Sequence, residues 1–285
     1  MSAAHLDPQT GRPLSWDPSR ERREQIAAFC SQHQAAAQAF KSVEVPENLT
    51  RDWLRVEDQE RIGSCQGHDI TTLGEVLHFN ATGGEVVQLS RLHAYIGTQK
   101  IDQETGVPNV KVGWDTGSTI GNGLEYAKRG FVLESNCPYF GQAYPSGSEC
   151  RRILSIAQDG RFRVVSGFQV ESYLHGLQCL AGGMVITIGT VWPFEIAPGF
   201  IVKIWRPATG QTAKGHARVI AEIRKRRLAE INSWGNDWGI NGRFCWEEPA
   251  FNAMLRHPWT VCLAVSGQDV PKPRRVDFAA RLLAV

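Results

Sequence analysis

The sequence predicts an α+β fold with a helical first half and a β-rich second half. The composition is that of an ordinary globular protein, with 285 residues, 42% of them hydrophobic, and 28 glycines. Before about residue 160 the apolar residues recur at helical spacing, and from residue 161 onward they form β-branched or alternating runs between Gly, Pro and charged turns. Such a chain commonly has its functional site in the cleft between the two halves.

Charge and hydropathy exclude several classes of partner. The 31 basic and 29 acidic residues leave a net charge of +2. The electric field of so small a charge is too weak to attract nucleic acid, so no nucleic-acid partner is expected. The first 30 residues contain no apolar run typical of a secretory signal, which predicts a cytoplasmic protein. Residues 172–194 carry no charged side chain but include His175, Gln178 and four glycines, so a buried helix and strand are expected there, not a membrane span.

The chain divides into an N-terminal arm, a main domain in two halves and a C-terminal tail. A main domain over 46–265 is predicted, and the alanine-rich stretch from Ser19 to about Phe40 predicts a helix on the arm. Both the arm and the tail are hypothesised to dock a protein partner, and the alternative for the arm is that it lies over the cleft. The predicted arm, helical half, β half and tail are residues 1–45, 46–160, 161–265 and 266–285.

The predicted elements of the main domain follow in chain order. A helix begins at Cys65, a loop covers 97–114, and a second helix ends near Gly130. The run VITIGTV predicts a buried strand after a short helix, and ARVIAEI and LAEINSW predict a hairpin with the turn KRR. Further strands are predicted at RFRVVSGF, FIVKIW and TVCLAV.

The cysteines and histidines give no reason to expect a metal or another cofactor. Seven cysteines form an odd set without a CxxC pair, which fits neither a zinc ribbon nor a fully paired disulfide framework. The histidines also lack metal-ligand spacing to one another or to a cysteine. Most of the cysteines are therefore interpreted as small buried hydrophobic residues.

Cys65 is the candidate nucleophile. A reactive cysteine must be a thiolate near neutral pH, and both a helix N-terminus and a nearby imidazolium lower the thiol pKa. Cys65 stands at a predicted helix start, after Gly63 and Ser64, which permit a tight backbone approach. Taken alone, a structural cysteine is the commoner interpretation of this pattern.

The predicted hairpin supplies the partners of Cys65. His216 begins one strand and Asn232 ends the next, so the two residues come opposite each other at the same end of the hairpin. An Asn carbonyl accepts the N–H of an imidazole and fixes its orientation while the other ring nitrogen faces a thiol. Nucleophile, base and orienting residue are thus all present.

At these residues the sequence resembles the papain-like cysteine peptidase family. Gln59 precedes Cys65 at the family's spacing, Gly63-Ser64-Cys65 matches its approach to the nucleophile, and NSWGNDWGINGRF (232–244) matches its Asn-Ser-Trp-Gly signature. The segment from Asp115 to Tyr139 is similar to bacterial and phage members, and the arm before the matching region lacks the signature of the family's propeptide. The resemblance covers about residues 46–265 and implies a papain-like fold, with a helical half, an antiparallel β half and the active-site cleft between them.

The resemblance also implies roles for individual residues. Cys65 would attack a peptide carbonyl, His216 would share its proton, Asn232 would orient the imidazole, and Gln59 would donate to the oxyanion. Trp234 would shield the His–Asn hydrogen bond with Trp238 packed beside it, and the candidate substrate-binding residues are Gly117, Ala217 and Ile188.

Two function classes stay open at this point. The first is a cysteine endopeptidase that hydrolyses peptide bonds in a polypeptide. The second is a papain-fold structural or binding component of a phage particle or another assembly, located in the virion, with weak or no turnover. The differences from the family pattern at Glu60, usually Gly, and at Gln66, usually bulky, favour the second class, whereas the intact set of Gln, Cys, His and Asn favours the first. Hydrolysis of another amide, such as that of a cell-wall peptide, would keep the mechanism and change the substrate.

Overall fold

The predicted α+β architecture is confirmed. The computed structural model describes residues 5–7, 11–31, 33–192, 194–209 and 214–267. In this part of the chain, helices precede a mostly antiparallel sheet, and two further helices lie among the strands. The helices are α1 (Arg23–Ser31), α2 (Gln34–Phe40), α3 (Cys65–Thr82), α4 (Arg91–Glu104), α5 (Ile120–Arg129), α6 (Gly147–Leu154), α7 (Tyr173–Ala181) and α8 (Glu248–Leu255).

Seven strands form the main sheet in the order β3-β9-β4-β6-β7-β8-β5. All neighbours are antiparallel except β5 and β8, which are parallel. A separate two-stranded sheet pairs β1 with β2 near the N-terminus. The strands are β1 (His5–Leu6), β2 (Pro13–Leu14), β3 (Ser166–Gln169), β4 (Val185–Trp192), β5 (Ile201–Val202), β6 (Lys214–Arg224), β7 (Arg227–Ile231), β8 (Arg243–Trp246) and β9 (Val261–Ser266).

Helix α3 lies between the sheet and the other large helices. It contacts β4 and β6 on one side and α4 and α5 on the other. Its first thirteen residues are all buried, and it ends at Gly83, whose φ of 76° gives the left-handed C-cap that glycine adopts without strain. The residue that begins α3 is therefore held deep in the molecule, at the boundary between the two halves.

Two predictions about local structure are wrong. The expected loop over 97–114 begins inside α4, whose polar Thr98 and Gln99 are buried and hydrogen-bonded, so its hydrophobic periodicity is weak. The single helix expected from Ser19 to Phe40 is instead a short 3-10 turn followed by α1 and α2. Of the predicted C-terminal tail, Ser266 is the last residue of β9, and residues 268–285 lie outside the described residues.

The arm packs against the body of the molecule. Phe29 of α1 belongs to the hydrophobic core between α3 and the sheet, and Phe40 of α2 belongs to the core on the other face of the sheet. Among the described helices, none is both long and apolar enough to cross a bilayer.

Candidate active site

Cys65 is the first residue of α3 and is fully buried. The turn before it is held by Asp115, whose carboxylate accepts the Gly63 N–H at 2.9 Å. Position N1 places the thiol beside the backbone N–H groups that the first turn of α3 leaves without intrahelical partners. The local structure therefore agrees with the expectation for this segment.

The β6–β7 hairpin places His216 beside Asn232, as its sequence predicts. His216 Nε2 lies 2.7 Å from Asn232 Oδ1, which also accepts the Ser233 backbone N–H at 2.8 Å. Because a backbone N–H only donates, this contact identifies Oδ1 as the carbonyl oxygen, and Nε2 must carry the ring proton. Among the described residues His216 Nδ1 has no hydrogen-bond partner, so it is the nitrogen able to accept a proton.

Aromatic side chains surround the His–Asn pair. The Trp234 indole stacks on the His216 ring with centroids 4.9 Å apart and planes at 21°, and Trp192 meets both rings edge-on. Trp238 packs edge-on against Trp234 at 5.2 Å. Trp234 is buried and Trp238 is partly buried. Trp234 thus covers the His216 ring directly, and Trp238 packs on the side of Trp234.

Burial also controls the protonation of His216. Its pKa lies well below the ordinary value, first because the ring is buried and second because the Arg218 charge is close, while the Asn232 hydrogen bond opposes the shift. The imidazole is therefore neutral in this conformation.

Gln59 is fully buried next to the hairpin. Its Oε1 accepts from Ser233 Oγ at 2.6 Å, and its Nε2 donates to the Pro13 carbonyl at 2.9 Å and the Ile62 carbonyl at 3.2 Å. The Ser233 hydroxyl thus fixes the amide so that its N–H₂ group faces a peptide carbonyl. Ser233 is part of the signature NSWG, yet the sequence alone gave no reason to assign it this role.

Two further residues position the cleft and were not predicted. The Tyr95 hydroxyl donates to Asp115 at 2.6 Å and accepts the Gly117 N–H at 2.9 Å. Asp115 and Tyr95 together hold the turn before Cys65 and the Gly117 backbone. Burial raises the pKa of Asp115, while the hydrogen bonds from Tyr95 and Gly63 oppose that shift.

The two departures from the family pattern have structural explanations. Glu60 has φ of 49°, in the left-handed region that favours glycine, and its carboxylate accepts from Gln142. The buried Gln66 packs against Gly123 of α5, where a Cβ would lie 1.7 Å from Gln66 Nε2.

The candidate substrate-binding residues lie in different places. Gly117 has φ of 75° and lies against the arm backbone. Ala217 is buried in the same hydrophobic cluster as Cys65, whereas Ile188 belongs to the cluster on the other face of the sheet. The next β4 residue, Gly189, is the one that pairs with Ala217.

The N-terminal arm crosses the cleft at Cys65. Ser15 Oγ donates to the Gly63 carbonyl and lies 3.2 Å from Cys65 Sγ. Trp16 forms an antiparallel bridge with Gly215, the residue before His216. Together with the Pro13 carbonyl on Gln59, these contacts place residues 13–16 against Gln59, Cys65 and the residue before His216.

The fold is similar to those of solved cysteine proteases. Xylellain, a cysteine protease from Xylella fastidiosa, matches with a TM-score of 0.61 and 20% sequence identity, over 81% of this chain and 89% of that one. Procathepsin B S9 from Trypanosoma congolense matches with a TM-score of 0.55 and 14% identity, over 90% of this chain and 84% of that one. No family model matches the sequence, and the comparison with curated proteins gives no significant match. The predicted papain-like fold is confirmed by these two neighbours.

Proposed function

We propose that the chain is a cysteine endopeptidase that hydrolyses peptide bonds in a polypeptide substrate through Cys65, His216, Asn232 and Gln59. The observation that carries the proposal is the hydrogen bond from His216 Nε2 to Asn232 Oδ1 under the Trp234 indole. Because this hydrogen bond uses the Nε2 proton, Nδ1 is the nitrogen of the His216 ring that can accept a proton. The bond fixes the orientation of the ring, and the indole covers one of its faces. A buried cysteine at a helix start and an amide donor complete the set.

The mechanism follows from the chemistry of these groups. Cys65 Sγ forms a bond to the substrate carbonyl carbon while its proton passes to His216 Nδ1. The oxyanion accepts hydrogen bonds from Gln59 Nε2 and the Cys65 backbone N–H. The C–N bond then breaks as His216 protonates the leaving amine, and water, deprotonated by the same nitrogen, hydrolyses the thioester. Asn232 keeps the ring oriented through both steps.

The neighbours support this choice of reaction, since xylellain is described as a cysteine protease and the second neighbour as a procathepsin B. A polypeptide substrate follows from the same likeness. Within the proposal the protein acts in the cytoplasm, without metal or cofactor.

A second candidate is a papain-fold structural or binding component of an assembly such as a phage particle. One observation favours it: Cys65 is fully buried beneath the arm, which blocks turnover in this conformation. Localisation to a virion belongs to this alternative.

The test measures proteolysis with the arm displaced, because the arm covers Cys65. In a Trp16→Ala background, unfolded casein should be cleaved, and adding Cys65→Ala should abolish cleavage. Adding His216→Ala should lower kcat by about 10³-fold or more, because no other group takes up the thiol proton. His257→Ala, which changes a partly exposed histidine away from the site, is the matched control. Cleavage that persists with Cys65→Ala would assign the activity to a contaminant and refute the proposal.

A further inference from the structure

A small pocket lies between helix α3 and the β6–β7 hairpin, next to the residue that orients the imidazole. We call it the Asn232 pocket and define it by three of the residues that line it, His68, Asp69 and Asn232. About 10 Å³ of it is open to the centre of a water molecule, and a polar pocket of this size holds one buried water. It is too small for a side chain of a substrate.

Three buried polar atoms of these residues have no hydrogen-bond partner in the described part of the chain. They are His68 Nε2, Asp69 Oδ1 and Asn232 Nδ2. Each of the three residues is at most 3% exposed, so bulk solvent does not reach these atoms. Because unpaired polar atoms inside a protein are costly, the three atoms point to a polar ligand in the pocket.

The hydrogen-bonding roles of two of these atoms follow from their neighbours. Asn232 Oδ1 is the carbonyl oxygen, so Nδ2 is the amide nitrogen and donates. His68 Nδ1 lies 3.1 Å from the Ser64 carbonyl oxygen and must donate to it, which leaves Nε2 as an acceptor. Burial and the Arg91 charge lower the pKa of His68 to about 3, against the Ser64 hydrogen bond, so the ring is neutral.

Asp69 provides the third atom. Its Oδ2 accepts from the Thr187 hydroxyl at 2.6 Å, which leaves Oδ1 to accept as a carboxylate or to donate as a carboxylic acid. A water molecule donates twice and accepts twice, so it matches His68 Nε2, Asn232 Nδ2 and either form of Asp69 at once. A metal ion or an anion would match only part of this set, because the set combines a donor with an acceptor.

Hydrogen bonds also connect His68 to the backbone of Gln59. The Tyr139 hydroxyl donates to the Gln59 carbonyl at 2.8 Å. It lies 2.8 Å from Ser64 Oγ, which must therefore donate to it. Ser64 Oγ in turn lies 3.3 Å from His68 Nδ1. A ligand on His68 Nε2 thus extends this network from the segment of the oxyanion donor to Asn232.

We propose that the Asn232 pocket binds one water molecule, and that His68 and Asp69 are positioning residues that act on Asn232 through it. The water accepts from Asn232 Nδ2 and donates to His68 Nε2. The amide is then held at both ends, because its Oδ1 already contacts His216 and the Ser233 N–H. The water site is independent of any activity, whereas an effect on catalysis rests on the proposed peptidase function.

The first experiment looks for the water in the wild-type chain. A crystal structure at a resolution that shows ordered solvent should contain one water within about 3.2 Å of both Asn232 Nδ2 and His68 Nε2. The ¹⁵N chemical shifts of the His68 ring should place its proton on Nδ1. A pocket without a water peak, or a ring proton on Nε2, would overturn the water site.

The second experiment tests the positioning role by kinetics in the Trp16→Ala background. His68→Phe keeps a ring against Tyr139 but removes the acceptor for the water, so kcat/KM should fall about fivefold, as for one lost hydrogen bond. His175→Phe is the matched control and should leave kcat/KM unchanged. His175 is 2% exposed, its Nε2 also has no partner among the described residues, and it does not line the pocket. Equal kcat/KM in His68→Phe and its parent would overturn the positioning role.

A second pair of variants covers the case in which His68→Phe does not fold. His68→Met and His68→Gln have side chains of similar length, and only the glutamine has a polar end that accepts from the water. We expect His68→Gln to be about fivefold more active than His68→Met. Equal activity of these two variants would also overturn the positioning role.

A spectroscopic measurement separates positioning from a general loss of stability. The ¹H–¹⁵N signal of the proton on His216 Nε2, which Asn232 accepts, should exchange with solvent about fivefold faster in His68→Phe than in the wild type. In His175→Phe the exchange rate should stay at the wild-type value, although this variant also loses a buried imidazole. Equal acceleration in both variants would reduce His68 to a structural residue.

The outcomes keep this inference apart from the proposed function. A bound water and faster His216 exchange in His68→Phe, without peptide cleavage by any variant, would refute the peptidase and keep the pocket and its positioning role. Peptide cleavage by a protein whose pocket contains no water would refute the inference and keep the peptidase.

Discussion

At the scale of single residues, Ser233 determines which way the Gln59 amide faces. Its hydroxyl donates to Gln59 Oε1 at 2.6 Å inside the protein, where a lost neutral hydrogen bond costs about 1 kcal/mol. In the arm-displaced background, Ser233→Ala should lower kcat/KM by roughly fivefold to tenfold, and Ser233→Thr, which keeps a hydroxyl, should restore most of it. Steady-state kinetics of the two variants test this prediction, and thermal unfolding checks that both variants are folded. An unchanged kcat/KM in Ser233→Ala would show that Ser233 does not contribute to oxyanion binding through Gln59.

Arg218 on β6 and Glu230 on β7 form a fully buried ion pair between the two strands of the hairpin that holds His216. Arg218 also lies 4.9 Å from the centre of the Trp192 ring. Arg218→Ala should lower the free energy of unfolding by about 3–5 kcal/mol, because it leaves the Glu230 carboxylate buried without its partner. The double variant Arg218→Met, Glu230→Gln should recover much of that loss, since the amide oxygen still accepts from the Trp246 indole. Urea unfolding measures both, and a double variant as unstable as the single one would contradict the expectation.

At the scale of elements, Glu21 connects the arm to helix α5 in a pH-dependent way. Burial raises its pKa from 4.5 to about 7, against hydrogen bonds from Trp16, Ile120 and Gly121, and the nearby Asp102 adds to the rise. The docked arm therefore binds the proton more tightly than the released one. Docking is strongest below about pH 4.5, weakens as the pH rises toward 7, and is constant above it.

The alkylation rate of Cys65 in the wild type, divided by the rate in Glu21→Gln, measures this effect. The ratio should rise between pH 4.5 and 7 and then level off, because the glutamine side chain carries no proton to lose. Taking the ratio cancels every other effect of pH on the alkylation of Cys65 that the two proteins share. A ratio that stays flat over this range would show that Glu21 does not control docking.

Also at this scale, the elements near Cys65 and His216 could be predicted because their signals are local. Cys65 stands before a run of apolar residues at helical spacing, and the turn at Lys225 and Arg226 separates two strands whose alternation fixes the hairpin register. Both residues of that turn have positive φ, as in a tight hairpin. Helix α4 could not be predicted in the same way, because its neighbours bury polar side chains on several faces.

At the scale of the whole molecule, the position of the arm could not be predicted. Its contacts join Pro13 to Gln59 and Trp16 to Gly215, and no periodicity in residues 1–45 indicates such distant partners. A polar, alanine-rich arm is equally compatible with an exposed helix. Ser233 was missed for a related reason: its hydroxyl matters only because Gln59, far away in sequence, is placed beside it.

Two deletions within the arm should differ in their effect on the stability of the protein. Deletion of 1–16 takes away the cleft contacts but keeps Phe29 and Phe40, so the fold should persist with Cys65 open. Deletion of 1–44 removes both aromatic residues from two hydrophobic cores, at about 3–5 kcal/mol each. Because the shorter deletion also removes the buried Leu14 and Trp16, it should lower Tm as well, but by less than the decrease of more than roughly 10 °C that we expect for the longer deletion. Equal Tm values would mean that the helices of the arm contribute little to the core.

The bridge between Trp16 and Gly215 also has a consequence for the order of events during protein synthesis. Residues 12–21 leave the ribosome before Cys65, and His216 and Asn232 leave it long afterwards. At about 5–20 residues per second, the arm waits for many seconds until the hairpin that completes the site is made. His216 and Asn232 therefore fold onto a cleft whose occupant is already attached to the same chain, so the candidate site is completed with the arm already within reach.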